Sequence, residues 1–137
     1  LSQNQGQVMK IRIAHNFPII TATLNDGGVS LRFDKVLLDT GSAGTLFPFD
    51  RLREKGIQPP PNARIREMTG IGAGGESVVE FHVDALTVGE LHVANFVIQA
   101  GNTDYGYEFD AILGFDFLLE VGAIVDFDRM EMRRKAS

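Results

Sequence analysis

The 137-residue chain contains no cysteine, which excludes disulfide staples and thiolate metal sites. A domain of this length buries roughly two thirds of the surface its unfolded chain exposes, so its core is adequate without them. No apolar run approaches the ~20 residues of a membrane-spanning helix, and no leader-like pattern opens the sequence. Leu1 is not an initiator methionine. The sequence therefore reads as a processed or partial chain, in which any targeting or anchoring segment upstream would not be visible. Lys and Arg number 13 against 18 Asp and Glu, for a net charge of −5, which argues against nucleic acid as a generic partner. His15, His82 and His92 lack metal-ligand spacing. The acidic stretch carrying Asp104, Glu108 and Asp110 lacks the EF-hand arrangement. Neither a metal nor a cofactor is expected. What is abundant is glycine, with 15 residues, above the usual ~7% and indicative of many turns.

Between those glycines the apolar residues alternate. Residues 8–13 place Met9, Ile11 and Ile13 on one side and Val8, Lys10 and Arg12 on the other, the pattern of a half-buried strand. A second strand covers residues 17–24. Asn25-Asp26-Gly27-Gly28 then leads into the alternating Val29, Leu31 and Phe33, a hairpin signal. Val36-Leu37-Leu38 reads as a separate, fully buried strand. Residues 48–55 read as a short helix, with Pro48 in its first turn and Gly56 just past its end. Further strands are expected from residue 64 and over 79–85, 86–88, 91–98, 111–114 and 123–127. Asp116 is placed to cap a short helix over 117–121 that Gly122 ends. Residues 1–7 and 131–137 read as flexible ends of a single domain spanning 1–137. The fold class is mostly β, largely antiparallel, with one or two short helices.

Three stretches carry possible chemistry. In Val36-Leu37-Leu38-Asp39-Thr40-Gly41-Ser42 a buried strand runs straight into a carboxylate. Burying that carboxylate is costly unless hydrogen bonds or a partner charge compensate it. A turn in which Asp39 bonds its own backbone is the plain alternative. Gly70-Ile71-Gly72-Ala73-Gly74-Gly75 matches the dinucleotide-binding spacing, but that pattern must open a helix. The β-branched, alternating residues that follow make it the tip of a hairpin instead. The third stretch is Ile112-Leu113-Gly114, an apolar strand ending in glycine.

Taken together, in this order and spacing, these stretches resemble the retropepsin-like aspartic proteases. The likeness covers roughly residues 8–128 and includes Leu113-Gly114-Phe115-Asp116-Phe117-Leu118, the signature of the cellular and bacterial members. It implies a single-lobed, closed antiparallel β-barrel-like fold. It also implies peptide-bond hydrolysis by two carboxylates, of which this chain carries one. Asp39 would meet its counterpart in a homodimer, with Thr40 interlocking across the axis and Gly41 lending backbone groups to a peptide or protein substrate. Ser42 would donate to the outer oxygen of Asp39. Gly70, Ile71, Gly72, Ala73 and Gly74 would form the flap, while Ile112 and Leu113 would line side-chain pockets and support the catalytic loop. Where viral members carry an Asp–Arg ion pair, this chain has Ala43 and Phe115. A non-catalytic dimerisation or peptide-binding module of the same fold is the alternative.

Overall fold

Residues 7–67, 77–103 and 108–135 are described by the computed structural model. Two short strands, β1 (Met9–Lys10) and β2 (Arg12–Ala14), lead into the long hairpin of β3 (Phe17–Asp26) and β4 (Val29–Leu38). Gly27 and Gly28 turn that hairpin with φ of +56° and +83°. Such positive-φ pairs match the right-handed twist of the strands they join. β5 (Leu46–Pro48) runs directly into α1 (Phe49–Glu54), and Gly56, at φ +82°, ends that helix as expected. β6 (Arg64–Glu67) precedes the second long hairpin, β7 (Ser77–Val88) and β8 (Leu91–Gly101). β9 (Ala111–Leu113), α2 (Phe115–Val121), β10 (Ile124–Asp126) and β11 (Glu131–Arg133) complete the chain.

Six strands close a barrel in the order β3-β4-β9-β5-β8-β7, with β7 returning to β3 through Thr23↔Thr87, Leu24↔Leu86 and Asn25↔Ala85. β2 and β6 extend the sheet beside β3 and β7. The expected mostly-β barrel with two short helices is the observed one. Its pairings are largely antiparallel, but β4–β9 and β5–β8 are parallel. Phe33, Phe47, Leu24, Leu86, Ile98, Leu113 and Phe117 fill the interior. Phe33 and Phe47 lie 4.9 Å apart between ring centroids, and α2 closes over β8 with Phe117 edge-on to Phe96.

Several boundaries differ from the sequence expectation for physical reasons. β4 is continuous where two strands were expected. Asp34 and Lys35 stand opposite the single residue Thr21, between the pairs Ile20↔Val36 and Ala22↔Phe33. That extra residue is a β-bulge, which lets Phe33 and Val36 both face the core although they are three apart. The bulge breaks the alternation without breaking the strand. Residues 8–13 do the reverse: the run divides at Ile11 between two sheets, leaving Ile13 68% exposed. α2 begins at Phe115 with Gly114 as its N-cap, so Asp116 lies in the first turn instead of at the cap.

The C-terminus is the largest correction. Residues 131–133, expected within a flexible end, form the central strand of a small β1-β11-β10 sheet. Met132 is fully buried in the main core. Arg133 pairs with Asp126 at 3.0 Å and Glu131 at 3.3 Å. The amide of Arg129, with help from Arg133, holds the Asp126 carboxyl below its usual range. One methionine between charged neighbours is too short a pattern for periodicity to register. Residues 1–6, 136 and 137 lie outside the described residues.

If Met132 anchors this end, Met132→Ala should cost about 2–5 kcal/mol. Urea denaturation would show it as a lower midpoint with an unchanged slope. An unmoved midpoint would return the segment to a loosely attached tail.

Candidate active site

β4 and β9 lie parallel, with Val36↔Ala111, Leu37↔Ile112 and Leu38↔Leu113 in register. The ladder extends one step further, where the amide of Asp39 donates to the Leu113 carbonyl at 3.0 Å. This places Asp39 at the open end of a buried strand pair. Its own side chain is half-buried.

Asp39 does hold its own turn, as the plainer reading of the motif required. Its Oδ1 accepts the Gly41 amide at 2.9 Å, and its carbonyl accepts the Ser42 amide at 3.2 Å. A Cβ on Gly41 would lie 3.3 Å from that Oδ1, so glycine here permits the carboxylate to sit close against the loop backbone. Thr40 and Gly41 are exposed beside it.

Ser42 differs from expectation. It is buried, and its hydroxyl donates to the Gly44 carbonyl at 2.7 Å instead of to Asp39. The loop folds back on itself between 42 and 44, which turns the hydroxyl away from the carboxylate. The Ser42 carbonyl accepts the Phe115 amide at 2.7 Å. Phe115 and Ala43, the two apolar replacements noted above, thus flank one loop, both exposed.

Behind the loop lies a set of polar residues that the sequence did not single out for the site. Thr45 is fully buried. Its hydroxyl donates to Asp116 Oδ1 at 2.7 Å and accepts the Gly114 amide at 3.0 Å, and its carbonyl accepts the Gln99 amide at 2.8 Å. Asp116 Oδ1 also accepts the Phe117 amide at 2.8 Å. Burial pushes the Asp116 carboxyl above its ordinary value, with these hydrogen bonds pulling partly back. The signal was present in Leu113-Gly114-Phe115-Asp116, but nothing in the sequence paired it with Thr45, 71 residues away. Two glycines allow the contact. A Cβ on Gly114 would meet the Gly44 carbonyl oxygen at 2.1 Å, and one on Gly44 would meet the Gln99 side chain at 2.5 Å.

Ile112 and Leu113 point to opposite sides of β9. Leu113 belongs to the main core and backs the loop through its carbonyl. Ile112 joins Leu46 and Val78 in a second apolar cluster, with Leu37 packed against it. This cluster links the Asp39 strand to the beginning of β7. Gly70, Ile71, Gly72, Ala73 and Gly74, expected at the hairpin tip, lie outside the described residues, although their flanking strands pair out to Glu67↔Ser77.

A larger cleft, about 740 Å³, lies against β1 to β4 and is lined by Lys10, Arg12, Arg32 and Lys35 among others. Asp39 is not part of it. Its size does not make it the chemical centre: two of its cations are already paired, Arg32 with Asp34 and Lys35 with Glu108.

Comparison with known proteins agrees with this fold. The family model described as aspartyl protease matches residues 20–117. Among solved structures, a retropepsin-like aspartic protease from Rickettsia conorii superposes with a TM-score of 0.63 at 16% identity, covering 93% of this chain and 89% of that one. At that identity the likeness speaks for the fold. No curated protein matched.

The tightest contact in the site yields a simple expectation. Gly114→Ala forces a methyl group into backbone, so it should destabilise by about 1–3 kcal/mol or more, read from the denaturation midpoint. Wild-type stability in that variant would mean that the 42–45 turn is free to move away from β9.

Proposed function

The chain belongs to the retropepsin-like aspartyl protease family, and from that membership we propose that it is an aspartic endopeptidase active as a homodimer. The observation that carries this reading is the placement of Asp39, half-buried at the end of a buried strand pair and flanked by the exposed Thr40 and Gly41. Carboxylate-catalysed peptide hydrolysis needs two such groups within hydrogen-bond distance. Close together they cannot both ionise, so one keeps a proton while the other acts as base. Asp39-Thr40-Gly41 occurs once in the sequence. A second copy of the chain is therefore the source of the second carboxylate, across a two-fold axis.

In the assembled site the ionised member of the pair removes a proton from a bound water, which attacks the scissile carbonyl. The protonated member donates to the carbonyl oxygen as the tetrahedral centre forms. The proton is shared by the pair, so the acid and base limbs of the pH–rate profile belong to the dyad and not to either residue. The substrate would lie extended, bonded through its backbone to Gly41 and to flap residues 69–75, whose closure excludes water. The buried Ile112–Leu46–Val78 cluster, with Leu37 packed against it, supports the strand end from behind. Ser42 contributes to this site by shaping the loop.

Asp39→Asn should lower cleavage of an unstructured peptide mixture at pH 4–6 by about 10³-fold or more, with an unchanged fold by circular dichroism. Cleavage that persists in the variant would sink the dyad mechanism. Cleavage absent from the wild type, with dimerisation and peptide binding intact, would identify the binding-module alternative. Sedimentation gives an independent check. With −5 per chain, self-repulsion relaxes as carboxylates protonate, so the dimer should tighten on going from neutral to mildly acidic pH. A strictly monomeric chain at high concentration would leave Asp39 without its partner.

A further inference from the structure

The polar residues behind the loop have a directional logic. A threonine hydroxyl has one proton to give. An ionised carboxylate can only accept, so Asp116 obliges Thr45 to donate toward it, leaving the hydroxyl lone pairs to receive the Gly114 amide. The same Asp116 oxygen accepts the first-turn amide of Phe117. Asp116 Oδ1 and the Thr45 hydroxyl together therefore tie the return of the Asp39 loop, the end of β9 and the start of α2 into a single unit. Thr45 is fully buried, so leaving its hydroxyl or the Gly114 amide without a partner would be costly there. Gly114 follows directly on Leu113, whose carbonyl receives the Asp39 amide, and the next residue, Phe115, donates to Ser42. Displacing Gly114 must displace both of these bonds.

We propose that Asp116 is a positioning residue for the catalytic loop, acting through Thr45 and Gly114, and that what the loop requires of it is an acceptor oxygen, not a charge. The proposal rests on the peptidase reading of Asp39. A protonated carboxyl keeps one acceptor oxygen, so the arrangement survives in acid, where a dyad of carboxylates works. Asp116 opens on a cleft of about 520 Å³ that it shares with Glu80 and His82 of β7, Gln99 of β8 and Glu120 of its own helix. Glu80 is engaged by Arg66 at 2.9 Å and accepts from the side-chain Nε2 of Gln99 at 3.0 Å. The titratable groups lining this cleft with Asp116 are thus Glu80, Glu120 and His82, two of them carboxyls like itself. Burial accordingly favours the neutral acid, consistent with a requirement for acceptance alone.

Two variants test this. Asp116→Asn keeps an acceptor oxygen, so it should retain kcat, the pH–rate profile and slow amide exchange at Gly114 and Phe117. Asp116→Ala should lose that exchange protection and lower kcat by up to about 100-fold with KM little changed, the signature of a displaced catalytic group. Equal damage from Asn and Ala would show that the charge matters and overturn the proposal, as would an Ala variant with wild-type kcat and protection. The exchange readout needs no catalysis. A wild type that fails to cleave while the two variants divide as expected would refute the peptidase reading and leave the loop-positioning role standing. A stability readout points the same way. Because the folded protein favours the neutral acid, it binds more protons than the unfolded chain between the ordinary Asp value and the raised one, so the ionised carboxylate costs stability above that window. Asp116→Asn should therefore be the more stable protein at pH 7, and its advantage should shrink as pH falls into the ordinary Asp range. A pH-independent difference would contradict the ionisation argument.

Discussion

The parallel pairing of β4 with β9 is the constraint on which the rest depends, because it carries the backbone of Asp39 one hydrogen bond past the last paired residues, Leu38 and Leu113. Parallel neighbours cannot be joined by a tight turn. The intervening chain must travel around the barrel through β5, β8 and β7 before β9 arrives beside β4. The position of the carboxylate is therefore a property of the closed barrel, not of the loop alone. Side chains on the two faces of β9 divide the labour: Leu113 seals the core, and Ile112 forms an apolar wall with Leu37 and Leu46.

Close approach is what turns this pairing into a rigid site. Gly114 lies where any side chain would strike the Gly44 carbonyl, and Gly44 lies where one would strike Gln99. The two glycines let loop, strand and helix meet with their backbones in contact. The buried polar groups thereby enclosed are satisfied within the set: among the described residues, no buried side-chain oxygen or nitrogen lacks a partner. In a low-dielectric interior, that completeness is what prevents Thr45 and Asp116 from being liabilities. The apolar Ala43 and Phe115 on the outer side leave no charge to be stranded there.

The small β1-β11-β10 sheet serves a different purpose. It packs against the β7–β8 turn, where Gly89 lies so close to β1 that a Cβ would stand 2.4 Å from the Gln7 carbonyl oxygen. Glu90 accepts the Arg134 amide at 2.6 Å from the other side. Met132 then fills the core beneath it. Both ends of the described chain are held by this one sheet.

The sequence by itself determined the hairpins, the turn glycines, the two helices within a residue or two, and the motif residue Asp39. Each depends on short-range regularity, whether a period of two, a positive-φ glycine or a cap, and such signals survive in a string of letters. It also placed Ala111-Ile112-Leu113 correctly as a strand, although Gly114, read as its last residue, is the N-cap of α2. Only the tertiary structure decided that β4 continues through a bulge, that Met132 belongs to the core, that the Ser42 hydroxyl turns to Gly44, and that Thr45 finds Asp116. Those outcomes depend on which residues meet across 70 or more positions, on a single extra residue that shifts a register, or, for Ser42, on how one loop folds back on itself. None of these leaves a periodic trace. The carboxylate at residue 39 could be read from the chain, but what holds it in place could be read only once β4 and β9 lay side by side.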